Sequence, residues 1–243
     1  MECRVRLLDL TQSLSPNTPR SSDHPEVQFP VVRWRSKNGI KTRQIVASLH
    51  SGTHVDAPLM YDPYGRAIHD LPLDAFCGSG LVVDAALGEW GVINADLLDR
   101  VAGGIRDGDI LALWTDWARH YLDEQTYILK APGLDKSGVD WIVNHKIKAV
   151  YSDTASAEHI FMRRRQWQSL RPDIFDRAEF DAADFPPSYG HKTLLPAGIM
   201  MVENLSEALG QLVGQRANLI ALPAKYEGVE GAPARVAAVI EFP

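Results

Sequence analysis

Cysteine is nearly absent: Cys3 and Cys77 are the only two in 243 residues, with no CxxC pair between them. No disulfide framework follows, so a reducing compartment is the expectation. Long apolar runs are missing too, and residues 1–6 lack the apolar core of a secretory signal, so the expected location is cytoplasmic and off the membrane. Positive charge is not in excess, because 25 Lys and Arg face 31 Asp and Glu for a net charge of −6. With no basic stripe interleaved with aromatics, a nucleic-acid partner is not expected. The only dense basic cluster is Arg163-Arg164-Arg165. No GxGxxG or P-loop supports a nucleotide site.

What is present is an ordinary globular balance, 45% apolar and 23% charged. No repeat or low-complexity linker divides the chain, so one domain over residues 1–243 is expected. Strands are predicted near residues 4–10, 31–35, 43–49, 80–85, 109–114, 147–152, 199–202, 218–222 and 235–242. Helices are predicted at 94–101, 135–145, 160–170 and 206–213. Leu134, Val139, Ile142 and Val143 give the second helix an apolar face of helical period. The irregular interleaving indicates an α/β fold with a mixed sheet. A Pro-rich loop over 11–30 is long enough to suggest a role of its own.

The most informative stretch is His50-Ser51-Gly52-Thr53-His54-Val55-Asp56-Ala57-Pro58. A lone HxxxH is a weak signal. Here Gly52, the β-branched Thr53 and Val55, and Pro58 argue against a helix interior. In an extended chain His50, His54 and Asp56 face one way, past a bare Gly52. Four strand residues span roughly 13 Å, which strains two imidazoles on one ion, so a bend at Gly52 is expected rather than two separate metals. Imidazole and carboxylate donors suit Zn²⁺ or Mn²⁺.

Residues 50–58 resemble the H-x-G-T-H-x-D-x-P-x-H signature of the cyclase family that includes bacterial kynurenine formamidase and isatin hydrolase. The resemblance continues through Leu8-Asp9-Leu10-Thr11, residues 71–76, Thr115-Asp116-Trp117, residues 131–134 and Ser152-Asp153-Thr154. It extends to residues 191–195, Val202-Glu203-Asn204-Leu205, residues 222–225 and residues 231–235. It implies a single-domain swivelling β/β/α barrel-like fold, one or two divalent ions, hydrolysis of a small amide, lactam or ester, and a homodimer or homotetramer. It also implies that His191 and Glu203 complete the metal set and handle the proton. Read alone, His191 follows a Pro-Pro-Ser-Tyr-Gly loop with nothing local to orient it.

One position departs from the pattern. The last signature histidine is Met60 here, and a thioether has no basic nitrogen. Three readings follow: metal-dependent hydrolysis, metal-dependent cyclase, isomerase or lyase chemistry on a carbonyl substrate without water, or a non-catalytic binding relative. Met60 and Trp117 are the expected substrate contacts. Residues 155–190 read as an insertion or a lid, rich in acids that include Asp173, Asp176, Glu179, Asp181 and Asp184, with an arginine available for a carboxylate. His69, beside Asp70, reads as an exposed loop residue, and His24, His120 and His145 as surface residues.

Overall fold

The computed structural model describes residues 4–176 and 180–242; Cys3 and Glu179 lie outside them. Eight strands carry the architecture: β1 (Arg4–Asp9), β2 (His54–Asp56), β3 (Cys77–Asp84), β4 (Ile110–Trp114), β5 (Ala149–Ser152), β6 (Met200–Glu203), β7 (Arg216–Pro223) and β8 (Gly231–Phe242). Neighbours run β8-β7-β3-β4-β5-β6-β2, and β2 pairs back onto β8, so seven strands close into a barrel with β1 appended to β8. The β3–β4–β5–β6 arc is parallel and the remaining pairings are antiparallel, which makes the sheet mixed.

Alternation along the strands sorts side chains into two cores. Val55, Val82, Ile110, Ala112, Ala149, Tyr151 and Val202 fill the barrel. Leu81, Val83, Leu111, Leu113, Val150 and Met201 face outward into a helical layer. Each fully buried aliphatic of this kind contributes roughly 1.5–3 kcal/mol. Because parallel strands are apolar on both faces, helices must cover the outer one. Helix Lys136–Asn144 does so, capped by Asp135, whose side chain accepts from Gly138 N at 2.8 Å. Gly138 is needed there because a Cβ would sit 2.3 Å from the Ile93 carbonyl oxygen. Helix Tyr189–Leu194 packs against Lys136–Asn144.

Some predicted elements change. Residues 43–49 do not form a strand: Thr42–Arg43 pairs with Val31–Arg33 in a small ribbon, and beyond it only Val46 bridges to Gln28. The extended segment begins instead after Gly52, at β2. Residues 160–170 break into a 3-10 turn, Ile160–Arg163, and one helical turn, Arg164–Trp167. The segment predicted as a helix near 206–213 is 3-10 helix, Glu207–Leu212. No helix among the described residues is long and apolar enough to cross a membrane.

Candidate metal centre

The site is assembled by strand register. Glu203 of β6 lies opposite His54 of β2, and Met201 lies opposite Asp56. Directly opposed residues share a face, and Met201 belongs to the outer core, so His54, Asp56 and Glu203 stand on the outside of the barrel beneath the helical layer. Gly52 makes the bend, with φ +66. That turn returns His50 to the cluster although it is not in the strand. Gly231 of β8 leaves room for it, since a Cβ there would lie 2.9 Å from His50 Cε1. His191 arrives from helix Tyr189–Leu194, where Gly190 clears the Glu158 carboxylate. Asn204, directly after Glu203, is held at φ +59, a conformation uncommon outside glycine. Its carbonyl accepts from Thr53 Oγ1 at 2.6 Å and its Oδ1 from Tyr127 OH at 3.0 Å.

His50 Nδ1 is 2.7 Å from Asp56 Oδ1 and its Nε2 is 3.1 Å from Glu230 Oε1. His54 Nδ1 donates to the Gly52 carbonyl at 2.8 Å, which turns its Nε2 toward Asp56 Oδ1 at 3.3 Å and Glu203 Oε2 at 3.7 Å. His191 Nε2 lies 3.5 Å from Asp56 Oδ2 and 3.9 Å from Glu203 Oε1. The other side of that ring faces Glu158, with Oε1 3.1 Å from Nδ1, while Oε2 accepts the His191 backbone N–H at 3.3 Å. Glu203 Oε1 also accepts from Ala157 N at 2.9 Å.

Two donor sets follow, His50/His54/Asp56 and Asp56/His191/Glu203, sharing Asp56. They fit a divalent ion on two counts. Asp56 Oδ2 is buried without a hydrogen-bond partner, and an orphaned buried carboxylate oxygen is costly unless a cation takes it. The separations of 3.3–3.9 Å also lie at or beyond the long end of hydrogen bonding and are close to the spacing of ligands held about 2.0–2.2 Å from one centre.

Charges in the cluster hold one another. Burial opposes ionisation of Asp56, but His54, His191 and His50 outweigh it and keep the carboxyl well below its usual range. Burial likewise pushes His50 down, and Asp56 and Glu230 overcome it to bring the imidazole to about 9. His191 is raised well above the ordinary value against its burial, by Glu158, Asp56 and Glu203. Glu203 is raised by burial and by the Asp56 charge. Positive charge is thus favoured at the places where metal ions would neutralise the acids.

A cavity of about 510 Å³ opens above these donors. Met60 lines it. Trp117 does not: it is 1% exposed, its indole N–H donates to the Tyr127 carbonyl at 3.0 Å and its ring lies against His120, so the expected substrate role gives way to a core role. His24 is corrected in the opposite sense. It is half-buried and lines the cavity, because the long N-terminal loop folds over the mouth. His69 is only part-exposed, accepting from Gly228 N at 3.0 Å. His159 is fully buried, pushed down to about 4 by burial, and therefore neutral.

Glu158, Asn204 and Glu230 are neighbours of the donors that no local spacing singles out. Glu158 reaches His191 across 33 residues because Leu134 bridges to it beside Gly133, where a Cβ would lie 2.5 Å from His159 N.

A closed mixed barrel bearing two linked acid–imidazole sets beneath an open cavity defines an α/β barrel enzyme with a candidate metal centre. Over residues 8–159, more than half of its length, the chain matches the family described as "Putative cyclase", and it belongs to that family. It is 28% identical over 244 residues to the kynurenine formamidase of Salinibacter ruber (strain DSM 13855 / M31), covering 95% of this chain and 96% of that one. The fold is similar to that of isatin hydrolase A from Labrenzia aggregata bound to benzyl benzoate, with a TM-score of 0.80 at 22% identity over 97% of this chain and 94% of that one. A structure described as a potential metal-dependent hydrolase with cyclase activity aligns with a TM-score of 0.73 at 22% identity over 99% and 100% of the two chains. Family and relatives together make the protein a hydrolase.

Proposed function

We infer that the protein hydrolyses a small amide, of the acyclic formamide or lactam kind, with Zn²⁺ or Mn²⁺ at His50, His54 and Asp56 and a second ion at Asp56, His191 and Glu203. The observation that carries this is the buried Asp56 carboxylate shared by two donor sets beneath a cavity. The similarity to kynurenine formamidase supports an amide substrate. A bound divalent ion supplies an activated water and polarises the scissile carbonyl. The chain's own groups do the rest. His54 is fixed by its Nδ1–H bond to Gly52, and Glu158 orients His191. Glu203 Oε1 is tied to Ala157 N, which leaves Oε2 to hold the proton released by the attacking water. His191 Nε2, between Asp56 and Glu203, would be taken up as a ligand, so the same Glu203 Oε2 is the group placed to return that proton to the departing amine.

Met60 favours a second reading. A thioether lines the cavity at the position where the signature has a histidine, so an activated carbonyl that enolises without meeting water is the competing chemistry. Homodimer or homotetramer assembly is part of the same proposal. It is supported by the exposed apolar side chains Val32, Trp34, Ile40 and Ile45 on and beside the small ribbon, and light scattering of the purified protein measures it.

Metal content per chain, by plasma mass spectrometry before and after loading with Zn²⁺ or Mn²⁺, is the first test. Two ions per chain, falling to one in Glu203→Gln, support the paired centre. Hydrolysis of formanilide in H₂¹⁸O then separates the chemistries, since label in the formate requires attack by water. Metal-loaded protein that leaves formanilide intact moves the assignment to the non-hydrolytic reading, and no ion under any loading condition defeats both.

A further inference from the structure

Strand β6 alternates as far as Glu203: Met200 and Val202 point into the barrel, Met201 and Glu203 out of it. Alternation would send the next side chain inward. Asn204 does not follow, because φ +59 turns the backbone there, and its side chain comes out beside His54 to line the cavity floor. Asparagine is among the few residues that tolerate this conformation. The residue is 5% exposed and firmly held. Its backbone N–H donates to the Thr154 carbonyl at 2.9 Å, its carbonyl accepts from Thr53 Oγ1, and its Oδ1 accepts from Tyr127 OH. That last contact, 3.0 Å against 3.2 Å from the same hydroxyl to the Asp153 carbonyl, sets which end of the amide faces the floor.

The nitrogen end has no comparable partner. Its one hydrogen-bonding contact among the described residues is His54 Nδ1 at 3.5 Å, and that nitrogen already directs its hydrogen at the Gly52 carbonyl at 2.8 Å. Two donors therefore face each other. A buried N–H without an acceptor is costly unless a ligand supplies one. We propose that Asn204 is a catalytic residue whose Nδ2–H stabilises the oxyanion formed when the substrate carbonyl is attacked. As water adds to the carbonyl carbon, its proton passes to Glu203 Oε2 and the C=O π pair moves onto oxygen, which accepts from Nδ2. The pair returns as the C–N bond breaks, and the amine leaves with the proton from Glu203. Asn204 itself exchanges no proton. A neutral donor suits this place, since it adds no charge to a floor where imidazoles and carboxylates set one another's protonation. Its fixed amide also needs no reorganisation as the charge develops. The proposal deepens the amide-hydrolase reading and rests on it for the identity of the attacked carbonyl.

Asn204→Gly removes the donor with least disturbance, because glycine accepts positive φ and Tyr127 OH keeps the Asp153 carbonyl as an acceptor. In metal-loaded protein kcat for formanilide should fall about 10²–10³-fold, the usual loss for one oxyanion donor. KM should change by less than about threefold, with metal content equal to the parent's. Calorimetric binding reads the same contact without turnover. Phenylboronic acid takes up hydroxide to become a tetrahedral anion, whereas aniline presents the ring without an oxyanion. The variant should bind the boronic acid at least about tenfold more weakly and aniline as before. Asn204→Asp keeps the side-chain shape and an acceptor for Tyr127 but has no N–H, and should reproduce both losses. A loss confined to Asn204→Gly, equal weakening of both ligands, or a loss that follows metal content would overturn the proposal. So would a parent protein that binds no boronic acid. Absence of formanilide hydrolysis in the parent retires the hydrolase reading, while boronic acid binding that depends on Asn204 still establishes the oxyanion donor.

Discussion

The floor and the mouth of the cavity use the same residue types to different ends. At the floor Asp56, His54 and Glu203 are 1–3% exposed and sit on strands whose register fixes them. At the mouth Asp23, Gln166 and Arg163 lie on turns and loop, in partial contact with water. Charges at the floor act in a poorly screened setting, where each one sets the protonation of the others. Charges at the mouth are screened by solvent and salt, so their pairing contributes little to stability and remains available for selection. Coupled protonation therefore belongs to the floor, and solvent-screened pairing to the mouth.

The largest effect should come from Asp56→Asn, which strikes both donor sets at once. Metal affinity should fall by more than the 10–100-fold typical of losing an outer partner, with hydrolysis falling alongside; dialysis against buffered metal checks the first and formanilide turnover the second. An Asp56→Asn protein that retains full metal content would place the centre elsewhere.

Met60→His comes next, because it restores a basic nitrogen on the cavity wall. Since a general base typically supplies about 10²–10⁴ in rate, kcat should rise by at least about tenfold with metal content constant. A flat response would show that Glu203 already meets the proton-transfer demand.

Asp153 sharpens the contrast from beneath the floor. It is fully buried, and burial lifts it to about 6 even though Thr115 donates twice to its Oδ1. Its folded pKa is raised, so the associated stability is fully present below about pH 4 and is lost as pH rises to about 6. The loss is on the order of 2–3 kcal/mol. Asp153→Asn keeps an oxygen for Thr115 and should flatten that part of the profile; urea unfolding at pH 4, 5, 6 and 7 reads the difference. Parallel profiles for the two proteins would mean that Asp153 stays ionised throughout.

The smallest effect belongs to the mouth. Gln166→Ala removes the link to Asp23 and should cost no more than about 1 kcal/mol of stability, seen as a small shift in the thermal midpoint. A larger shift would make the clasp part of the folding core.

The clustering of His50, His54 and Asp56 and the mixed α/β character were legible because both rest on local pattern. Gly52 between two histidines implied a bend, and the bend is there at positive φ. Strand alternation through residues 80–85 and 109–114 matched β3 and β4 closely. Residues 43–49 misled because β-branched and apolar residues there suggest a strand, yet Ile45 and Val46 are exposed and only Val46 finds a bridging partner. Trp117 stood near a strand end, but the side chain turned into the core to reach the Tyr127 carbonyl. His191 could be placed by resemblance alone, since its orientation comes from Glu158, a residue distant in sequence.

By itself the sequence determined which donors exist, where the chain must bend between His50 and His54, and which segments carry two apolar faces. These are consequences of side-chain chemistry and backbone freedom acting over a few residues. Tertiary structure alone decided that β2 closes the barrel between β6 and β8, that Glu203 stands opposite His54, and that the loop carrying Ser21 and Asp23 grips Arg163. Those contacts join residues more than a hundred positions apart. Strand pairing and packing create them, and no local propensity encodes them.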